Sequence, residues 1–154
     1  MDSLLDKLIA KEIPAKRVFY KANTLIFSEN DVCCGMFLIE SGNVKILKRI
    51  PHTNKDIDLA SFGPHEFFGE MSLIAGRPHS ADALTITDST IWLLDEKCFR
   101  KAITESPEFS FMILKGLVKR LTDMNEKMRG LLSHLKDFSE RLEDLSALWH
   151  ALAP

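Results

Sequence analysis

Residues 67–81 read FFGEMSLIAGRPHSA, and the rest of the chain is organised around this stretch. Two phenylalanines end an apolar strand, and Gly69 follows as a turn at which the backbone can approach a neighbour without a side chain in the way. The next residues are predicted to form a short helical turn, whose free N–H groups favour an anion. Glu70 is an acceptor at the mouth of this site, and Arg77 and His79 are its candidate cationic partners. A carboxylate beside an anion site indicates a ligand that carries hydroxyls as well as charge, as a sugar phosphate does.

Short strands are predicted on both sides of this stretch. Runs of β-branched and aromatic residues alternate with turns, two of which contain asparagines suited to left-handed backbone, Asn23 and Asn30. The predicted strands cover residues 18–20, 24–27, 35–40, 43–49, 56–62, 81–87 and 90–94. A hairpin is predicted across Ser41-Gly42. Strands at such short, regular spacing favour an antiparallel sandwich or barrel over a parallel sheet.

The stretch 67–81 resembles the phosphate-binding cassette of the cyclic-nucleotide-binding domain family. The family pattern runs Phe-Gly-Glu, a small residue, Leu, an aliphatic residue, a short gap and Pro-Arg-Ser-Ala; this chain has Phe68-Gly69-Glu70, Ser72-Leu73-Ile74 and Pro78-His79-Ser80-Ala81. The likeness extends over residues 15–128. It implies an α+β fold, an antiparallel, jelly-roll-like β-roll with a short N-terminal helix, a cassette helix and a long C-terminal coiled-coil helix. The implied domains are a β-roll domain, 1–106, and a dimerisation helix, 107–154.

The same resemblance assigns roles to the cassette residues. Glu70 would accept a hydrogen bond from the ribose 2′-hydroxyl, while the backbone that follows it and Ser80 would bind the cyclic phosphate of cAMP or cGMP. The family's phosphate-binding arginine falls on His79, which offers one aimed donor in place of a permanently charged planar fork. Arg77, on the same side of an extended strand, is the candidate substitute. The predicted ligand-binding residues are Gly69, Glu70, Met71, Ser72, Arg77, His79, Ser80, Ala81 and, on the long helix where relatives contact the base, Asn125.

A long helix is predicted to begin at Ser106-Pro107-Glu108, directly after a shorter helix capped by Asp95. Along it, apolar residues recur in alternating steps of three and four, which indicates a left-handed coiled coil. Basic residues at the g positions and neutral ones at the e positions favour a parallel pair, because an antiparallel pair would oppose like charges. Resemblance to regulators that dimerise through this helix implies a homodimer. The predicted interface residues are Leu117, Leu121, Met124, Met128, Leu131, Leu135, Phe138, Leu142, Leu145 and Trp149.

Composition and motif content exclude several function classes. A net charge of −2 over 154 residues gives no basic footprint for nucleic acid, and the seam heptads after Gly130 leave no room for a helix-turn-helix, so direct DNA binding is not expected. No apolar run could span a bilayer, and the acidic N-terminus, an amphipathic helix over residues 1–11, is not a signal peptide. The scattered histidines form no catalytic or metal-binding constellation, so we do not expect an enzyme. Three cysteines without metal spacing indicate buried thiols and a cytoplasmic protein, Cys33, Cys34 and Cys98.

Three functional hypotheses remain open at this point. The first is a sensor or regulatory adaptor that binds a cyclic nucleotide and signals through its coiled coil to an unidentified protein partner. In the second, the pocket is degenerate and the chain is a dimerisation or scaffold module, with Arg77 a solvated surface residue and His79 a partly buried one bonded to backbone. The third, ranked last because it needs a second ligand, is a haem-based sensor with His79 as axial ligand.

Overall fold

A computed structural model describes residues 13–53 and 55–152 of the chain. Within these ranges there are eight strands: β1 Lys16–Tyr20, β2 Leu25–Phe27, β3 Met36–Ser41, β4 Val44–Arg49, β5 Asp56–Phe62, β6 Phe67–Phe68, β7 Asp82–Thr85 and β8 Ser89–Leu94. They form two four-stranded antiparallel sheets, with the orders β1-β8-β3-β6 and β2-β7-β4-β5. This confirms the predicted antiparallel β-roll. The predicted N-terminal helix lies outside the described residues.

Three helices complete the described part of the chain: α1 Glu70–Ala75, α2 Glu96–Glu105 and α3 Pro107–Leu152. The helix starts were predicted correctly. The Asp95 carboxylate accepts a hydrogen bond from the Cys98 N–H at 2.8 Å, and the Ser106 hydroxyl accepts one from the Phe109 N–H at 3.3 Å. The chain divides into two compact units, Met1–Met112 and Ile113–Pro154.

The turn at Ser41-Gly42 corrects the sequence-based prediction, because it does not close a hairpin. β3 pairs with β8 and β6, whereas β4 pairs with β5 and β7, so the chain passes here from one sheet to the other. Gly42 has a φ of +93°, and a Cβ at this position would lie 2.2 Å from the hydroxyl oxygen of Ser89. The turn residues alone indicate a reversal of direction, and only the distant partner strands decide which sheet each strand joins.

Aromatic side chains fill the interior between the sheets. The rings of Phe37 and Phe68, both buried, stack with centroids 5.0 Å apart. Phe27 contacts both of them at 5.5 Å and 6.0 Å, and Phe62 stacks on Phe68 at 6.1 Å. Each buried phenylalanine stabilises the fold by about 1.5–3 kcal/mol. The residues that precede the cassette helix are therefore anchored in the centre of the core.

The prediction that all three thiols are buried was wrong for one of them. Cys98 is buried and Cys33 is half-buried, whereas Cys34 is exposed. Burial raises the pKa of the Cys98 thiol to about 11. Adjacent residues of an extended segment point to opposite sides, so one of two neighbouring cysteines faces solvent. None of the helices in the described ranges has the length and apolarity needed to cross a bilayer.

Candidate functional site

The cassette, defined here as residues 67–81, is built around a left-handed glycine. Gly69 directly follows β6 and caps the N-terminus of α1 with a φ of +81°. A Cβ on Gly69 would lie 3.1 Å from the Phe37 ring and 3.3 Å from the carbonyl oxygen of Gly35. Glycine is therefore required both by the backbone conformation and by the close approach of the chain to the core. A second left-handed glycine, Gly76, ends α1 and faces open space.

Glu70 is the residue of α1 whose side chain is buried, with 0% of its surface exposed. The sequence placed this carboxylate at the mouth of the site, and the structure sets it inside. Its position follows from Gly69, because a turn pressed against Phe37 directs the first residue of α1 into the roll. A buried carboxylate is favourable only where hydroxyl, N–H or cationic groups meet it, so Glu70 can bind a ligand hydroxyl away from competing water.

His79 is buried on the segment that returns from α1 to β7, with 2% of its surface exposed. Its imidazole stacks on the Phe27 ring with centroids 3.6 Å apart and planes 8° from parallel. Its backbone N–H donates to the carbonyl oxygen of Asp31 at 3.0 Å, and its carbonyl accepts from the Asn30 N–H at 2.8 Å. Nε2 is buried and has no hydrogen-bond partner among the described residues. Burial lowers the pKa of His79, and the nearby charge of Asp31 opposes this only in part.

The other predicted site residues divide into buried and exposed positions. Gly69 and Ser72 are half-buried and Ala81 is buried, whereas Met71, Arg77 and Ser80 are exposed. Within the cassette, residues 69–72 lie together on one turn at the start of α1. The other predicted site residues of the cassette follow on the segment that returns to β7: Arg77, His79, Ser80 and Ala81. Asn125 is an exposed residue of α3 and belongs to the second compact unit.

The predicted interface residues all lie on α3. Leu117 is half-buried. The others are each at least half exposed: Leu121, Met124, Met128, Leu131, Leu135, Phe138, Leu142, Leu145 and Trp149. A helix that exposes an apolar residue at every third or fourth position over eight turns presents a continuous apolar stripe to solvent.

The loop between β2 and β3 also contributes to the site, and the sequence pattern did not predict this. Asp31 and Asn30 hold the backbone of His79, and the Cys33 sulfur lies 4.0 Å from the carbonyl oxygen of Gly69. Asp82, immediately after the cassette, is buried, accepts from the Glu29 N–H at 2.7 Å and pairs with Arg49. The left-handed Asn30, with a φ of +70°, was the one local signal that this loop has a fixed conformation.

Comparisons with known proteins agree with this architecture. The family model described as cyclic nucleotide-binding domain matches residues 17–106. The CRP-like cAMP-activated global transcriptional regulator of Mycobacterium tuberculosis is 32% identical over 107 residues, which cover 70% of this chain and 47% of the regulator. A cAMP-dependent protein kinase regulatory subunit of Aspergillus niger is 27% identical over 114 residues, which cover 68% of this chain and 26% of the subunit.

A solved structure shows the same fold. The Thermus thermophilus catabolite activator protein matches with a TM-score of 0.70 and 25% identity, over 82% of this chain and 59% of that chain. The chain thus spans about half the length of the mycobacterial regulator that it matches. Because the family model matches more than half of the sequence, and matches the β-roll with its cassette, the chain belongs to the cyclic nucleotide-binding domain family.

Proposed function

We propose that this chain is a regulatory domain whose cassette binds cAMP or cGMP and whose α3 helix passes the signal to a protein partner as part of a parallel homodimer. The observation that carries the ligand proposal is the placement of Glu70. Gly69 presses the turn against Phe37 and sets the carboxylate inside the roll, where it suits the 2′-hydroxyl of a ribose.

The names of two relatives support the proposed identity of the ligand. The mycobacterial regulator is described as cAMP-activated and the Aspergillus subunit as part of a cAMP-dependent kinase. The same cassette order, a glycine turn, a carboxylate, a short helix and Ser80-Ala81, stands in this chain. The departure is His79, whose single donor replaces two charged donors of arginine. Losing a charged hydrogen bond of about 1.5–3 kcal/mol weakens binding roughly 10- to 100-fold.

The homodimer proposal is supported by the apolar stripe of α3. Its residues keep a seven-residue repeat through Gly130 and remain exposed over the helix from Leu121 to Trp149. An isolated helix of this kind gains little from its own hydrogen bonds in water, because helical stability in proteins comes mainly from packing of the apolar face. A second copy of the helix presents the matching seam, and basic g positions then face neutral e positions.

Calorimetric titration of the purified, ligand-free chain with cAMP and with cGMP tests the ligand proposal. We expect the natural chain to bind one of them, His79→Arg to bind it roughly 10- to 100-fold more tightly, and Glu70→Gln to bind it more weakly. Asp58→Asn is the matched control, because it makes the same carboxylate-to-amide change at an exposed position of β5 outside the cassette and should leave binding unchanged. Circular dichroism of each variant checks that the fold is retained.

A second candidate function is favoured by the burial of His79. A side chain stacked on Phe27 and closed off from solvent suits a roll that has lost its ligand and serves as a dimerisation module. In that case neither the natural chain nor folded His79→Arg would bind cAMP or cGMP, while the chain would still sediment as a dimer. That combination of results would contradict the ligand proposal and leave the homodimer proposal standing.

A further inference from the structure

The environment of His79 gives the proposed nucleotide site a further property, and the inference that follows rests on the proposed function. The His79 ring stacks on Phe27 with centroids 3.6 Å apart, and the backbone N–H and carbonyl of the same residue are bonded to the backbone of Asp31 and Asn30. Nε2 is the polar atom of the ring that is buried without a hydrogen-bond partner in the described residues. An unfilled polar atom inside the cassette segment is a position that a ligand oxygen can satisfy.

Burial favours the neutral form of the His79 ring in the ligand-free protein, and the surrounding charges do not offset it. Asp31, on the loop between β2 and β3, favours the imidazolium, but burial outweighs it and lowers the pKa of His79. Phe27, on β2, carries no charge. On the cassette side, Arg77 is exposed, and Asp82 is already engaged by Arg49. The carboxylate of Glu70, buried at the start of α1, adds no positive charge.

We propose that nucleotide binding at the cassette takes up one proton onto His79, so that this domain responds to its ligand and to acidity together. The cyclic phosphodiester carries a fixed negative charge, which is costly to bury beside a neutral ring. A proton on His79 turns Nε2 into the donor of a charge-assisted hydrogen bond to a phosphate oxygen. The face of Phe27, already parallel to the ring, stabilises the imidazolium once it forms.

The sign of the pH dependence follows from linkage. A bound anion raises the pKa of His79 above its value in the free domain. As pH falls between the higher value of the complex and the lower value of the free domain, affinity rises by up to about tenfold per pH unit. The stability of the ligand-free domain, in contrast, decreases as pH falls. A histidine that is buried neutral favours unfolding once pH falls through the ordinary histidine pKa, because the unfolded chain then binds the proton.

The test is calorimetric titration of the full chain with cAMP from about pH 5.5 to about pH 8, the range in which histidine titrates. Each titration is run in two buffers of different ionisation enthalpy, so that the heat reports the protons taken up on binding. The variants are His79→Gln, which keeps a polar side chain but cannot titrate, and His150→Gln, which removes an exposed histidine of α3.

We expect the natural chain and His150→Gln to take up close to one proton and to bind more tightly in acid, and His79→Gln to do neither. Binding that is independent of pH, with no proton uptake, would overturn this inference and leave the proposed function intact. Uptake that persists in His79→Gln would overturn the assignment to this residue. No binding by the natural chain at any pH would overturn both the inference and the proposed function.

Discussion

Glu40 joins three neighbouring strands through one carboxylate. From β3 it accepts two hydrogen bonds from Arg17 on β1, at 2.8 Å and 2.6 Å, and one from the indole N–H of Trp92 on β8 at 2.7 Å. The hydrogen bonds from Arg17, and secondarily that from Trp92, hold the pKa of Glu40 below its ordinary value despite partial burial. Trp92 is 6% exposed, so water is a poor substitute for its acceptor.

Replacing Glu40 should therefore destabilise the roll beyond what a surface ion pair contributes. In Glu40→Ala the buried indole N–H loses its acceptor, and we expect the free energy of unfolding to fall by about 1–3 kcal/mol. Asp58→Ala, which removes the exposed Lys45–Asp58 pair, is the control and should cost less than about 1 kcal/mol. Urea unfolding at neutral pH measures both. Because the pKa of folded Glu40 is lowered, the difference between the natural chain and Glu40→Ala should shrink as pH falls below the ordinary glutamate pKa.

At the same scale, the candidate site shows which features local sequence can predict. The glycine turn, the short helix and the carboxylate at its start follow from neighbouring residues, and each was predicted. The full burial of Glu70 and the stacking of His79 on Phe27 were not, because both depend on partners 33 to 52 positions away in the chain, Phe37 and Phe27. A pattern of residue types reports what a side chain can bind, and only packing decides whether solvent reaches it.

Among the elements, those set by local backbone preferences were predicted and those set by distant pairing were not. The left-handed Asn23 and Asn30, with φ of 58° and 70°, and the starts of α2 and α3 are local features. The passage between sheets at Gly42 is not, because a hairpin and a crossing both need a tight turn after β3. A crossing forms here because β8 and β6 pair with β3, and β4 pairs with strands of the other sheet.

This crossing gives a prediction at the scale of elements. In Gly42→Ala the new Cβ would meet the Ser89 hydroxyl oxygen at 2.2 Å and the Asp88 carbonyl oxygen at 2.5 Å. Gly76→Ala, also at positive φ but in open space, isolates the backbone cost of about 1–2 kcal/mol. We expect Gly42→Ala to cost a further 1–3 kcal/mol or so, as overpacked cores do. Urea midpoints of the two variants give the comparison, and equal destabilisation would show that the crossing relaxes without cost.

The two compact units differ in whether a single chain contains the residues against which their apolar side chains pack. The β-roll buries its own core, so its sequence pattern and its structure can be compared within one chain. The apolar stripe of α3 is exposed in a single chain, from Leu121 to Trp149. Its heptads predict a partner helix that one chain does not contain. A measurement of association in solution tests whether that partner is a second copy of the chain.

Leu135→Lys places a charge in the middle of this stripe, whereas Ser133→Lys places the same charge two residues earlier, at an exposed position outside the seam. A homodimer loses two leucine contacts in the first variant, about 3–6 kcal/mol in total, so its dissociation constant should rise by roughly 100-fold or more. Sedimentation at micromolar concentration should then show a dimer for the natural chain and for Ser133→Lys, and a shift towards monomer for Leu135→Lys. The helical far-UV circular dichroism signal of Leu135→Lys should also fall, because an α3 helix without a partner loses the packing that stabilises it. A natural chain that sediments as a monomer, or two variants that associate equally, would show that the seam does not hold two copies of this chain together.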